Sequence, residues 1–136
     1  MRKKYALRTG LAVLAALATS AFLPVHAAAA PVDKPVCKGI GNGDLCIEKT
    51  PTGKPGEIHV WYVKKKGPQV TAYLAWQNLK GGKPDGKIFG STPVPMVAGK
   101  TYSQKWPTYI GPGCTQGLIQ ETAPKKQLIR GPVSCG

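Results

Sequence analysis

Acidic residues are scarce in this chain of 136, where Asp and Glu together number 6 against 19 Lys and Arg. That scarcity removes whole classes of chemistry. Glycosidic hydrolysis needs two carboxylates of opposed pKa, and Asp33, Asp44, Glu48, Glu57, Asp85 and Glu121 form no suggestive pair along the chain. Calcium takes about six to eight oxygens, several of them from carboxylates, so Asn42 and Asp44 do not make a calcium loop. Histidine is equally sparse, at His26 and His59 only, and no C-x-x-C spacing exists, so a zinc site has no ligand set. A nucleophilic triad has only His59 as its base, with no serine beside it; Ser91, Ser103 and Ser134 are distant in sequence. The chain reads as a non-enzyme that needs no metal and no cofactor.

Two stretches with the glycine spacing of nucleotide-binding motifs, one of them incomplete, fail as phosphate cradles. VPMVAGKT, at 94–101, carries Val94 where a phosphate-binding loop opens on glycine, and no helical pattern follows. Gly39, Gly41 and Gly43 lie in a short loop bounded by cysteines and read as a turn. Helical periodicity is absent after residue 27, and so are internal repeats and domain-sized linkers.

What is present begins with a leader. Arg2, Lys3, Lys4 and Arg8 precede an apolar run at 11–23 and a small-residue stretch around Ala27. That order describes a signal peptide over 1–27, too short in its apolar part for the roughly 20 residues of a membrane span. Neither a twin arginine nor a cleavage-site cysteine is found, so the expected route is general export and release. Residues 28–36 are expected to trail as a flexible arm, leaving one secreted domain over 37–136.

Without the four leader cations the 19 become 15, against the same 6 acids, for a formal charge of +9. All but Arg130 are lysines. Arginine is the residue of bidentate base recognition. A lysine-dominated surface instead implies diffuse attraction to polyanions, or solubility alone. Four cysteines remain, Cys37, Cys46, Cys114 and Cys135, an even count that implies two disulfides in an oxidising compartment. The pairing expected is Cys37 with Cys46 across a Gly-rich turn, and Cys114 with Cys135 across a hairpin folded about Ala123, Pro124 and Lys125.

The 17 glycines and 13 prolines punctuate short β-branched and aromatic runs, the pattern of an all-β, disulfide-braced sandwich or small barrel. Strand character recurs over 88–94 and 101–110, with turns expected at 81–86 and 98–100. The richest stretch is 57–79, which reads as a hairpin with its connection at 65–69, where Pro68 cannot donate to a ladder. One register puts Ile58, Val60 and Tyr62 on the same apolar face as Val70, Ala72, Leu74 and Trp76. His59, Trp61, Thr71, Tyr73 and Gln77 then turn outward, with Lys64, Lys65 and Lys66 at the tip.

That surface carries the leading functional expectation. Lysines neutralise an anionic polymer while Trp61 and Tyr73 stack on its rings, with His59 also in the expected binding set. Teichoic acid, acidic polysaccharide and extracellular DNA all fit that chemistry, in a protein secreted or held at the cell surface. An alanine-rich leader points to a bacterial source. The second expectation is a binder or inhibitor of a secreted protein, acting through the proline-stiffened loop 91–99. Within it, Pro95-Met96-Val97 resembles the reactive-site tripeptide of the Streptomyces subtilisin inhibitor family, whose members also have a signal peptide, two disulfides and similar length. The resemblance implies that Met96 fills a protease specificity pocket and that Met96–Val97 is the scissile bond. It departs from the family in cysteine spacing and in Val94, which stands where those inhibitors have a cysteine.

Overall fold

Residues 34–50 and 55–136 are described by the computed structural model. The expected leader, residues 28–33 of the expected arm, and Lys54 lie outside the described residues. Of the arm, Lys34 and Pro35 precede the first strand and Val36 opens it. Nine strands follow: β1 (Val36–Gly39), β2 (Gly43–Thr50), β3 (Pro55–Lys64), β4 (Val70–Lys80), β5 (Lys83–Gly90), β6 (Val94–Met96), β7 (Lys100–Tyr109), β8 (Cys114–Ala123) and β9 (Gln127–Cys135). No helix occurs among the described residues. The fold is the expected all-β single domain, and it takes the sandwich form.

One sheet has the order β1-β2-β3-β7. The other runs β5-β4-β8-β9, with the short β6 also pairing β4. Side chains alternate across each strand, so one face of each sheet supplies the core. Leu45, Ile47, Ile58, Val60 and Tyr62 come from the first sheet; Ala72, Leu74, Trp76, Met96 and Ile119 come from the second. Burying each large aliphatic side chain contributes about 1.5–3 kcal/mol.

The expected core face of 57–79 is therefore correct, but the expected hairpin is not. β3 pairs with β2 and β7, whereas β4 pairs with β5, β6 and β8. Residues 65–69 cross from one sheet to the other. Either arrangement can bury the same two faces; here the faces of β3 and β4 lie in opposite sheets and cover each other across the core. The crossing is held at its start by Lys65 and Lys66, whose N–H groups donate to Asn42 O at 2.7 and 3.1 Å.

Both disulfides form as expected, each between residues directly opposite on neighbouring strands: Cys37–Cys46 joins β1 to β2 and Cys114–Cys135 joins β8 to β9. The expected strand over 88–94 is divided between β5 and β6, and the expected turn over 81–86 contracts to Gly81-Gly82, both with positive φ.

Candidate functional site

Parity along β3 places the lysines first. Lys64 has the same parity as Ile58, Val60 and Tyr62, so it points inward; it is only 2% exposed and its Nζ donates to Lys66 O at 3.0 Å. Lys65 and Lys66 are exposed, and Lys65 Nζ pairs with Asp44 at 2.6 Å. The crossing also divides the aromatics. Trp61 is half-buried on the outer face of the first sheet, and Tyr73 on the outer face of the second, where its ring lies over Gly90. The expected single surface of lysines, Trp61 and Tyr73 is thus not assembled. Lys64 is interior, and the two aromatics look out from opposite sides of the sandwich.

Topology gathers a different set. The connections 40–42, 65–69, 97–99 and 124–126 all leave the sandwich at one end, because Gly43 and Lys100 pair with Lys64 while Met96 and Ala123 pair with Val70 and Thr71. Exposed Lys65, Lys66, Lys100, Lys125 and Lys126 stand at that end. Its acids are committed: Asp44 pairs with Lys65, and buried Glu121 accepts from Lys125 N at 3.3 Å and Gln127 Nε2 at 2.7 Å. Beneath the loops is a cavity of about 140 Å³ lined by Tyr62, Lys64, Met96, Glu121 and Gln127. Burial, and secondarily the charge of Asp44, raises the Tyr62 pKa above its ordinary value of 10.0.

The loop that resembles an inhibitor's reactive site is also placed differently. Pro95 and Met96 belong to β6, and Met96 is 1% exposed in the core, opposite Val70. A residue that must enter a protease pocket has to stand free, so Met96 cannot serve as that group in this fold. Val97 N donates to the Tyr102 hydroxyl at 2.7 Å, which ties the chain down directly after it.

At the opposite end a cleft of about 640 Å³ opens between the sheets, lined by Ile58, Trp76, Phe89, Tyr109 and Ile110 among others. Trp76 stacks on Phe89 with centroids 4.2 Å apart, and Lys87 Nζ lies 4.8 Å over the Phe89 ring. Lys49 closes the floor, donating to Gly113 O at 3.0 Å.

A polar array absent from the sequence-based expectations lies on the outer face of the first sheet. Register aligns Glu48, His59 and Lys105 across β2, β3 and β7, and Trp61 and Ser103 in the next row. His59 Nε2 is 2.7 Å from Ser103 Oγ, and Nδ1 is 3.9 Å from Glu48 Oε2. Lys105 Nζ pairs with Glu57 at 2.9 Å, and the His59 ring lies 4.6 Å from that of Trp61. Desolvation, then the Lys105 charge, lowers the His59 pKa from its ordinary 6.5 against the opposing pull of Glu48 and Glu57. His59 is thus neutral near pH 7, and the array pairs a hydroxyl with a base. Of the other serines, Ser91 is spent on Leu74 O at 3.2 Å and Ser134 is buried. The partnership spans 44 residues, and only the β3–β7 pairing reveals it.

Among the described residues, no group of three His, Cys, Asp or Glu side chains is placed to hold a metal ion, and no helix is long and apolar enough to cross a membrane. Comparison with family profiles, curated proteins and solved structures finds no match to this chain.

Proposed function

We propose that the protein is an exported binding domain whose lysine-bearing end attaches to an anionic extracellular or cell-wall polymer. The observation that carries this reading is the convergence of Lys65, Lys66, Lys100, Lys125 and Lys126 on one end of the sandwich, from two separate loops and the start of β7. Like charges repel, and only Lys65 among the five has a carboxylate partner, Asp44, so gathering the other four gains nothing for the fold. It does create a positive potential that draws phosphate or carboxylate polymers. Lysines suit such a partner, because a flexible point charge follows a repeating backbone without needing bidentate geometry. Two cross-strand disulfides fit an oxidising, extracellular setting.

Binding to teichoic acid, heparin and duplex DNA across a salt series tests the proposal. Two charge-matched variants are compared: Lys66, Lys125 and Lys126 to Gln, and Lys80, Lys83 and Lys87 to Gln. The first variant should lose affinity and flatten the dependence of log affinity on log salt, by about 0.9 per lost phosphate contact on duplex DNA. Equal loss in both variants would mean that net charge alone acts, and the proposal would fall.

A further inference from the structure

The array on the outer face of the first sheet contains the parts of a nucleophilic site, in an order that three strands create together. Ser103 is exposed, its Oγ is within hydrogen-bond distance of His59 Nε2, and the other ring nitrogen faces Glu48. When Nε2 accepts from the serine hydroxyl, the ring proton sits on Nδ1, the side of the carboxylate. The separation of 3.9 Å there is longer than a hydrogen bond and becomes an ion pair once the ring is protonated, and such contacts often tighten only when substrate binds.

The backbone adds an electrophile-stabilising donor. Gly99 N donates to Lys64 O at 2.8 Å, which sets the Lys64 carbonyl on the β7 side of β3. Backbone groups alternate sides with residue parity, so Tyr62 turns its own toward β7 and Trp61 toward β2. Tyr62 stands opposite Tyr102, and Trp61 opposite Ser103. Ser103 therefore directs its N–H away from β3, at the open edge of a sheet in which β7 is the last strand. A nucleophile's own N–H is a recurrent member of an oxyanion hole.

We propose that Glu48, His59 and Ser103 form an acyl-transfer site that hydrolyses short carboxylic esters, with Ser103 Oγ as nucleophile, His59 as general base and Glu48 as its positioning residue. Ser103 Oγ bonds to the ester carbonyl carbon as its proton passes to His59 Nε2. The carbon–oxygen bond to the alcohol breaks, and that alcohol leaves with the Nε2 proton. Water then attacks the acyl-serine, giving its proton to Nε2, and the carboxylic acid departs as Ser103 regains its hydrogen. Ser103 is exposed on the edge strand, with the Trp61 ring beside its base His59, so the site suits short acyl groups on an accessible alcohol. It is separate from the lysine-bearing end and goes beyond the binding reading.

The test uses the full chain with p-nitrophenyl acetate for turnover and a fluorophosphonate probe for covalent capture, the adduct being located by peptide mass spectrometry. The wild-type protein should carry the adduct on Ser103, S103A should carry none, and H59Q should label about 100-fold more slowly or worse. S103C should restore acylation through its thiol. Glu48 raises the His59 pKa, whereas Lys105 lowers it and Glu57 opposes Lys105. E48Q should therefore move the pH inflection of labelling lower as well as slow it, a shift that loss of packing alone does not produce. All these side chains lie on an outer face, and circular dichroism of each variant checks that it folds. A Ser103 peptide without adduct in the wild-type protein, or ester hydrolysis equal in S103A and wild type, overturns the proposal.

Discussion

Gly67 shows how much one residue contributes to the crossing between the sheets. It sits at φ 85°, and a Cβ there would meet the Asn42 side chain at 2.6 Å. Asn42 is the residue whose carbonyl holds the crossing in place. Gly67→Ala should cost roughly 1–2 kcal/mol from the left-handed backbone alone, read as a lower urea midpoint with unchanged slope. Lys64 makes the complementary point about charge. Its ammonium is spent on Lys66 O inside the fold, so Lys64→Gln should leave the salt slope of polymer binding unchanged. Lys66→Gln should lower it. Equal effects would place the Lys64 charge at the surface, against its burial.

At the scale of elements, the two disulfides each lock one antiparallel pair but close loops of different size, with sequence separations of 9 and 21. In the chain-entropy description the longer loop gives more stabilisation, by about 0.7 kcal/mol on totals near 3 kcal/mol. Replacing Cys114 and Cys135 by Ala should therefore lower stability more than replacing Cys37 and Cys46, measured by urea unfolding of the two variants. β7 carries a different liability. Its odd-numbered residues turn their backbone groups to the open edge, where Lys105 supplies charge and Pro107 removes an N–H. Both devices discourage a second chain from pairing there. Pro107→Val should produce concentration-dependent self-association in sedimentation velocity, with the wild-type chain remaining less associated at the same concentration.

For the whole molecule, two perturbed groups bracket a pH plateau. The folded His59 pKa lies below its ordinary 6.5, so the unfolded chain binds the proton more tightly. The stability linked to His59 is complete above that pH and is lost as pH falls through the folded value. Tyr62 is shifted upward from 10.0, so its contribution is complete below that pH and is lost as pH rises through the folded value. A plot of Tm against pH should flatten between about 6.5 and 10 as far as these groups are concerned. His59→Gln should remove part of the acid limb, and Tyr62→Phe part of the alkaline limb. Unchanged limbs in both variants would show that other groups dominate.

Local chemistry in the sequence determined which side of each strand is buried. Ile58, Val60, Tyr62, Ala72, Leu74 and Trp76 all face the core, because alternation is a property of the strand itself. Of the three connectivities four cysteines allow, the one expected from their spacing and the turn residues between them is the one that forms. Partner choice was decided only by tertiary structure. Nothing local to 57–79 distinguishes two strands that pair from two that face each other across a sandwich, since both arrangements bury the same faces. On that decision hang the inward turn of Lys64, the separation of Trp61 from Tyr73, the burial of Met96 in a sheet, and the clustering of distant lysines at one end. The meeting of His59 with Ser103 depends on it as well: β3 had to take β7 as its neighbour in place of β4, a choice made by the burial of both sheets at once.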